Sequence, residues 1–89
     1  MFSFTDNKMI LVENNVIVGF IEFENNGYSY TIIKVYVDPL FRGQNKANIL
    51  MSEFYNFLDK NGYLCKNVCS YAEKWFERNV DKHNVLVGV

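Results

Sequence analysis

Histidine, proline and cysteine are scarce in this sequence: one, one and two in 89 residues. Charge of either sign is not in surplus, since 9 basic residues face 10 acidic ones for a net charge of -1. Each scarcity closes off a class of function. One histidine and two cysteines without zinc-type spacing leave no ligand set for a metal centre. A chain with no basic excess lacks the electrostatic footprint of a nucleic-acid binder. No apolar run approaches the roughly 20 residues that span a bilayer. The opening "MFSFTDNKM" has no basic segment followed by a long apolar one, as a secretory signal would. The expectation is a cytoplasmic protein with neither nucleic acid nor membrane as partner. If Cys65 and Cys69 share one extended strand, they lie roughly 13 Å apart, beyond the ~7 Å reach of a disulfide. Both should then be free thiols, as a reducing cytosol would keep them.

What the sequence does have is apolar surface. Hydrophobic residues make up 49% and aromatics 17%, too many for a disordered chain. That is enough for one small domain, 1–89, whose core needs no metal or disulfide staple. Three runs rich in β-branched and aromatic residues read as strands: 8–13 "KMILVE", 16–23 "VIVGFIEF" and 28–37 "YSYTIIKVYV". Two "ENN" turns separate them, and Asn26-Gly27 is a strong hairpin signal. Short turns predict an antiparallel meander. The second run is apolar on both alternating faces, so it is expected at the centre, covered on both sides. From Ala47 the period changes to a helical stripe through Leu50, Met51, Phe54, Phe57 and Leu58. A helix is predicted from about 44 to 60, stopped by Asn61-Gly62. A fourth strand, 63–69, should lie parallel to the third through a right-handed crossover. "SYAE" has capping-box form, placing Ser70 as N-cap of a helix to about Asn79, with Tyr71, Trp75 and Phe76 toward the core. The tail "HNVLVGV" is apolar enough to dock. The predicted class is α+β (α/β-like), in the order β-β-β-α-β-α.

The crossover opens on "VDPLFRGQNKANIL", residues 37–50. A helix start offers unpaired N–H groups and about half a positive charge, and phosphates bind there. Arg42 precedes the helix, Lys46 lies in its first turn, and Gly43 lets backbone approach a ligand. A lysine at a helix start opposes the dipole, and a bound anion would remove that conflict. Strand-to-helix loops also carry glycine and basic residues with no ligand at all, so the local residues leave both readings open.

The stretch "YVDPLFRGQNKANILMSEFYNFLDKNGY", followed by "NVCSYAEKWFERN", resembles the small, single-domain acetyltransferase-like group of the GNAT superfamily. The superfamily's acetyl-CoA loop reads Gln/Arg-x-x-Gly-x-Gly/Ala, and Arg42, Asn45 and Ala47 fall at its marked positions. The small group's version is Arg-Gly-Gln-Gly-x-Gly/Ala. Arg42, Gly43, Gln44 and Ala47 fit it, and Asn45 stands in for the central glycine. The group's Cys-Ser-Tyr is matched by Cys69, Ser70 and Tyr71. A later Arg-His-Pro-Glu-Tyr element is matched only at Arg78. The resemblance runs from about Met9 to Gly88. It implies a truncated GNAT fold that takes acetyl-CoA or CoA as cosubstrate, in a cleft between the third and fourth strands. Val37 would lie along the pantetheine, with Arg42, Gly43, Gln44, Asn45, Lys46 and Ala47 around the pyrophosphate. Ser70 joins the cofactor-binding set, and the thioester would point toward Cys69. The implied partners are a CoA thioester and an unidentified primary amine, with the chain a monomer or weak homodimer.

Cys69 is the candidate catalytic residue. A helix N-terminus lowers a thiol pKa, and a thiolate can accept an acetyl group and pass it to an amine, the role the resemblance implies. Alternatively it packs as a small hydrophobe, and an amine attacks the thioester directly, needing only a base. Cys65 reads as packing, His83 as a surface residue rather than a catalytic base, Glu22 as an edge or solvent-facing carboxylate rather than a general base near the acyl site, and Trp75 and Phe76 as core. Two functions stay open. One is acetyl transfer to a primary amine. The other is a non-catalytic CoA-binding or protein-interaction module, which Asn45 and the altered "RNVDK" favour. The Asn45 side chain either crowds the pyrophosphate or donates a hydrogen bond to it.

Overall fold

The computed structural model describes residues 1–87. Five strands form one sheet in chain order: β1 (Phe2–Phe4), β2 (Lys8–Glu13), β3 (Val16–Asn25), β4 (Ser29–Val37) and β5 (Leu64–Asn67). The first four are antiparallel neighbours, and β5 runs parallel to β4. Helix α1 (Lys46–Asn61) makes the crossover from β4 to β5, and α2 (Ser70–Arg78) follows β5. Short 3-10 turns occupy Pro39–Phe41 and Val80–Val85. This is the α+β arrangement expected, with β3 at the sheet's centre. Asn14 and Asn15, at φ 51° and 63°, close the β2–β3 hairpin, because asparagine tolerates the left-handed turn that matches strand twist.

One face of the sheet holds the core. Met9, Leu11, Ile21, Phe23, Tyr30, Ile32 and Cys65 pack with Leu50, Met51, Phe54 and Leu58 of α1 and with Ala72, Trp75 and Phe76 of α2. The opposite face was expected to be covered over β3, and it is not. There Phe20 and Tyr36 stack with centroids 5.1 Å apart, and Lys8 lies 4.6 Å over Phe20. Glu22 is half-exposed on that face beside Lys8 and Lys34. The strand can be apolar on both sides because lysine stems, rather than a second helix layer, shield its open face.

Other expectations shift locally. Strand β1 gave no sequence signal, being three residues long. Helix α1 starts at Lys46, not Gln44, because Asn45 at φ 65° is left-handed and cannot continue a helix backward. Strand β5 ends at Asn67, short of Cys69. Cys69, extended at φ -90° and ψ 127°, is itself the N-cap of α2. Ser70 is already helical, so the capping box does not form. His83 is half-buried rather than superficial, a ring nitrogen lying 2.7 Å from the Phe76 carbonyl. The tail docks as far as residue 87: Val85 is buried, and the Val87 N–H donates to the Cys65 carbonyl at 3.0 Å. Gly88 and Val89 lie outside the described residues. No helix among the described residues is long and apolar enough to cross a membrane.

Candidate functional site

Strands β4 and β5 pair only from Ser29↔Leu64 to Ile32↔Asn67. Past that point β4 continues to Val37, while the chain beside it turns away into α2. The gap is a cleft of about 650 Å³. Its walls are Lys34 to Val37 of β4, Phe41, Arg42, Gly43 and Asn45 of the loop, Lys46, Ala47 and Asn48 of α1, and Tyr71 of α2.

The β4 wall is a strand edge. Tyr36 lies opposite Phe20 and Lys34 opposite Glu22, and the Asp38 N–H donates to the Val18 carbonyl at 2.8 Å. In an antiparallel ladder, hydrogen-bonded pairs alternate with non-bonded ones. Val35 and Val37 therefore turn their N–H and C=O groups away from β3 and toward the cleft. The Val37 carbonyl accepts from Arg42 Nε at 2.9 Å. At the inner end the β3–β4 register shifts between Glu22 and Phe23, leaving Ile33 as an extra residue on β4. Such bulges end pairing and re-aim backbone groups near sites. An extended ligand bearing amides could pair with this edge as an added strand would.

The other end of the cleft is the start of α1. Gly43 (φ 81°) and Asn45 (φ 65°) are both left-handed. The first bond of the helix runs from the Ile49 N–H to the Asn45 carbonyl, 3.1 Å. The N–H groups of residues 43–48 meet no acceptor among the described residues. Those donors and the helix dipole favour an anion. Asn45 suits this position, because asparagine is among the few non-glycine residues that adopt the left-handed conformation readily. The Lys46 conflict with the dipole is resolved within the chain. Its Nζ donates to both Glu13 carboxylate oxygens, at 2.9 and 3.1 Å, so a carboxylate 33 residues earlier compensates the charge.

Of the residues anticipated for the site, Val37, Arg42, Gly43, Asn45, Lys46 and Ala47 line the cleft. Gln44 is exposed in the loop without lining it, and Ser70 is exposed at the start of α2. Cys69 is half-buried against the core and not among the lining residues. Cys65 is buried, which pushes its thiol up to about 12, in keeping with packing. Tyr71, expected in the core, instead lines the cleft half-buried. Burial raises its pKa, and the charge of Arg78 offsets this in part. Its i, i+4 relation to Trp75 put it on the inward stripe of α2, but not at the stripe's open end. Lys34, Tyr36 and Asn48 were also not anticipated.

A family model described as GCN5-related N-acetyl-transferase matches residues 8–85. The chain belongs to this family. Among solved structures, a GCN5-like putative N-acetyltransferase from Staphylococcus aureus superposes with TM-score 0.77 at 18% identity, covering 100% of this chain and 89% of that one. The ribosomal-protein-S18-alanine N-acetyltransferase from Escherichia coli matches with TM-score 0.70 at 17% identity, over 86% of this chain and 54% of that one. PaiA N-acetyltransferase from Thermoplasma acidophilum, in complex with coenzyme A, matches with TM-score 0.63 at 18% identity, over 81% and 48%. At these identities the likeness is one of fold. No curated protein sequence matches. The GNAT assignment read from the loop and from Cys-Ser-Tyr thus holds, as does the fold it implied.

Proposed function

We propose that this GNAT chain binds acetyl-CoA in the β4 cleft and transfers its acetyl group to a primary amine. The observation that carries this reading is one continuous cleft joining a strand edge with free amides to an uncapped helix start. Those two features suit a ligand with an amide-bearing arm at one end and a diphosphate at the other. Val35 and Val37 would pair with the pantetheine amides. The N–H groups of residues 43–48 would hold the diphosphate, with Arg42, anchored through Nε on the Val37 carbonyl, turning its terminal nitrogens to it. Donation to an anion from a guanidinium and from backbone N–H groups is the stronger, charge-assisted kind.

The transfer forms a C–N bond and breaks the thioester C–S bond. The amine attacks as its neutral form, its surplus proton passes to solvent, and the sulfur leaves as thiolate. Tyr71 lines the cleft, and its hydroxyl, protonated well beyond neutral pH, would donate a hydrogen bond to that sulfur. A covalent relay through Cys69 would require its thiol to reach the cleft from a half-buried position against the core, so direct attack is the route we favour. The non-catalytic reading drew support from Asn45, and that support weakens because Asn45 fits the loop's left-handed geometry.

Thermal denaturation with CoA and acetyl-CoA tests binding. At 100 times its dissociation constant, a ligand specific for the native state should stabilise the chain by about 2.7 kcal/mol. No shift at millimolar ligand overturns the reading. After incubation with acetyl-CoA, intact-mass measurement should find no acetyl adduct on Cys69.

A further inference from the structure

The cleft does not end at the first turn of α1. A second groove of about 430 Å³ opens beside it, between the start of α1 and α2, lined by Asn45, Asn48, Tyr71, Trp75, Arg78 and Asn79. Asn45, Asn48 and Tyr71 line both, so one ligand could occupy the two together.

The groove's chemistry is mainly that of a donor. Trp75 is 2% exposed, and an indole N–H can only donate. It donates to Asn48 Oδ1 at 2.7 Å. That bond fixes which way the Asn48 amide faces: its oxygen is used, and its NH₂ remains for the groove. Asn79 Nδ2 donates to the Trp75 carbonyl at 2.7 Å, leaving Asn79 Oδ1, like the Asn45 side-chain oxygen, as an acceptor without a partner among these residues. Arg78, exposed in the last turn of α2, makes no ion pair among the described residues. The other cations of the cleft are placed elsewhere. Lys46 is held by Glu13, Arg42 sits against Val37, and Lys34 lies 5.6 Å over the Tyr36 ring.

We infer that this groove receives a phosphate monoester, and, resting on the CoA reading above, that the group is the ribose 3′-phosphate, so that Arg78 selects CoA over its dephospho form. The strand edge directs the pantetheine arm one way from the diphosphate. The nucleoside end must then leave past Asn45, one of the three residues shared by both grooves. Beyond the diphosphate, the 3′-phosphate is the charged group of that ligand, and a planar guanidinium fork pairs with two of its oxygens at once. The Asn48 NH₂ supplies a further donor. Arg78 is therefore a specificity-determining residue, standing apart from the reacting atoms.

Calorimetric titration of the full chain with CoA and with dephospho-CoA tests this. Wild type should bind CoA about tenfold more tightly, the worth of one charge-assisted contact. Arg78→Gln should lose most of that preference while its affinity for dephospho-CoA stays within about twofold of wild type. Arg78→Lys, a point charge without the fork, should keep part of it. Adenosine 3′,5′-bisphosphate should compete with CoA on wild type and fail to on Arg78→Gln. Equal wild-type affinity for the two cofactors overturns the inference. So does a preference that survives in Arg78→Gln, or a loss that is equal for both ligands. If wild type binds neither, the CoA reading itself falls and this subsite with it.

Discussion

Gly19→Ala is expected to lose about 1–3 kcal/mol of stability, the usual range for overpacking a core, and with it most of the affinity for CoA. A Cβ at position 19 would stand 2.3 Å from the Tyr36 carbonyl oxygen, 3.1 Å from Val37 Cα and 3.2 Å from Leu50 Cδ1. The Leu50 methyl can move, but the other two atoms are backbone. The first distance is far inside van der Waals contact, so β4 must shift away from β3. Gly19 faces Val37 directly in the register, and the strand that would shift is the one whose edge forms the cleft wall. A displacement of several tenths of an ångström there would misplace the Val35 and Val37 amides and the carbonyl that anchors Arg42. Gly27→Ala is the control. Its φ of 93° makes any side chain strained, yet nothing lies within 4 Å and it is remote from the cleft-lining residues. It should lower the urea midpoint and leave CoA affinity unchanged. Equal behaviour of the two variants, once stability is matched, would separate Gly19 from the site.

The reasons for what was legible differ by element. The stripe of α1 could be read because helical periodicity is a local signal, and four of its residues, Leu50, Met51, Phe54 and Leu58, are buried. The meander and its asparagine turns were readable for the same reason. What escaped depended on contacts distant in sequence or on a single dihedral. Glu13 reaches Lys46 across 33 residues, so no inspection of the loop could find its counter-ion. Asn45 looked like a defect in a glycine motif until its φ gave it a reason. Ser70 had every feature of an N-cap, but the strand ended early and Cys69 took the position. Tyr71 shared the inward stripe of α2, and only the parting of β4 from β5 turned that stripe's end into a cleft wall. The two-sided apolar pattern of β3 misled in the opposite direction: it signalled burial where cross-strand stacking and lysine stems suffice.

Tyr71→Phe should slow acetyl transfer about 10²-fold, the scale on which one hydrogen-bond donor to developing charge matters, while leaving the dissociation constant of acetyl-CoA nearly unchanged. The substitution keeps the ring and removes only the hydroxyl, which makes no hydrogen bond within the described protein. Stability should therefore hardly move. The effect should appear in kcat, because the partner proposed for the hydroxyl is the sulfur as it gains charge and not the intact thioester. The pH dependence adds a second reading. Burial raises the Tyr71 pKa above its ordinary value near 10, so the group is protonated at every lower pH and loses its proton only as pH rises through the raised value. Any loss of rate due to Tyr71 ionisation must then lie on the alkaline side, above about pH 10, and must vanish in Tyr71→Phe. Steady-state kinetics on a panel of primary amines, run beside Cys69→Ala, separates the remaining routes. Direct attack predicts that Tyr71→Phe is slow and Cys69→Ala nearly normal. A relay through the thiol predicts that Cys69→Ala is slow as well, because the CoA sulfur leaves as thiolate by either route. A chain that binds CoA yet turns over no amine in wild type is a binding module, and Tyr71 would then be packing alone.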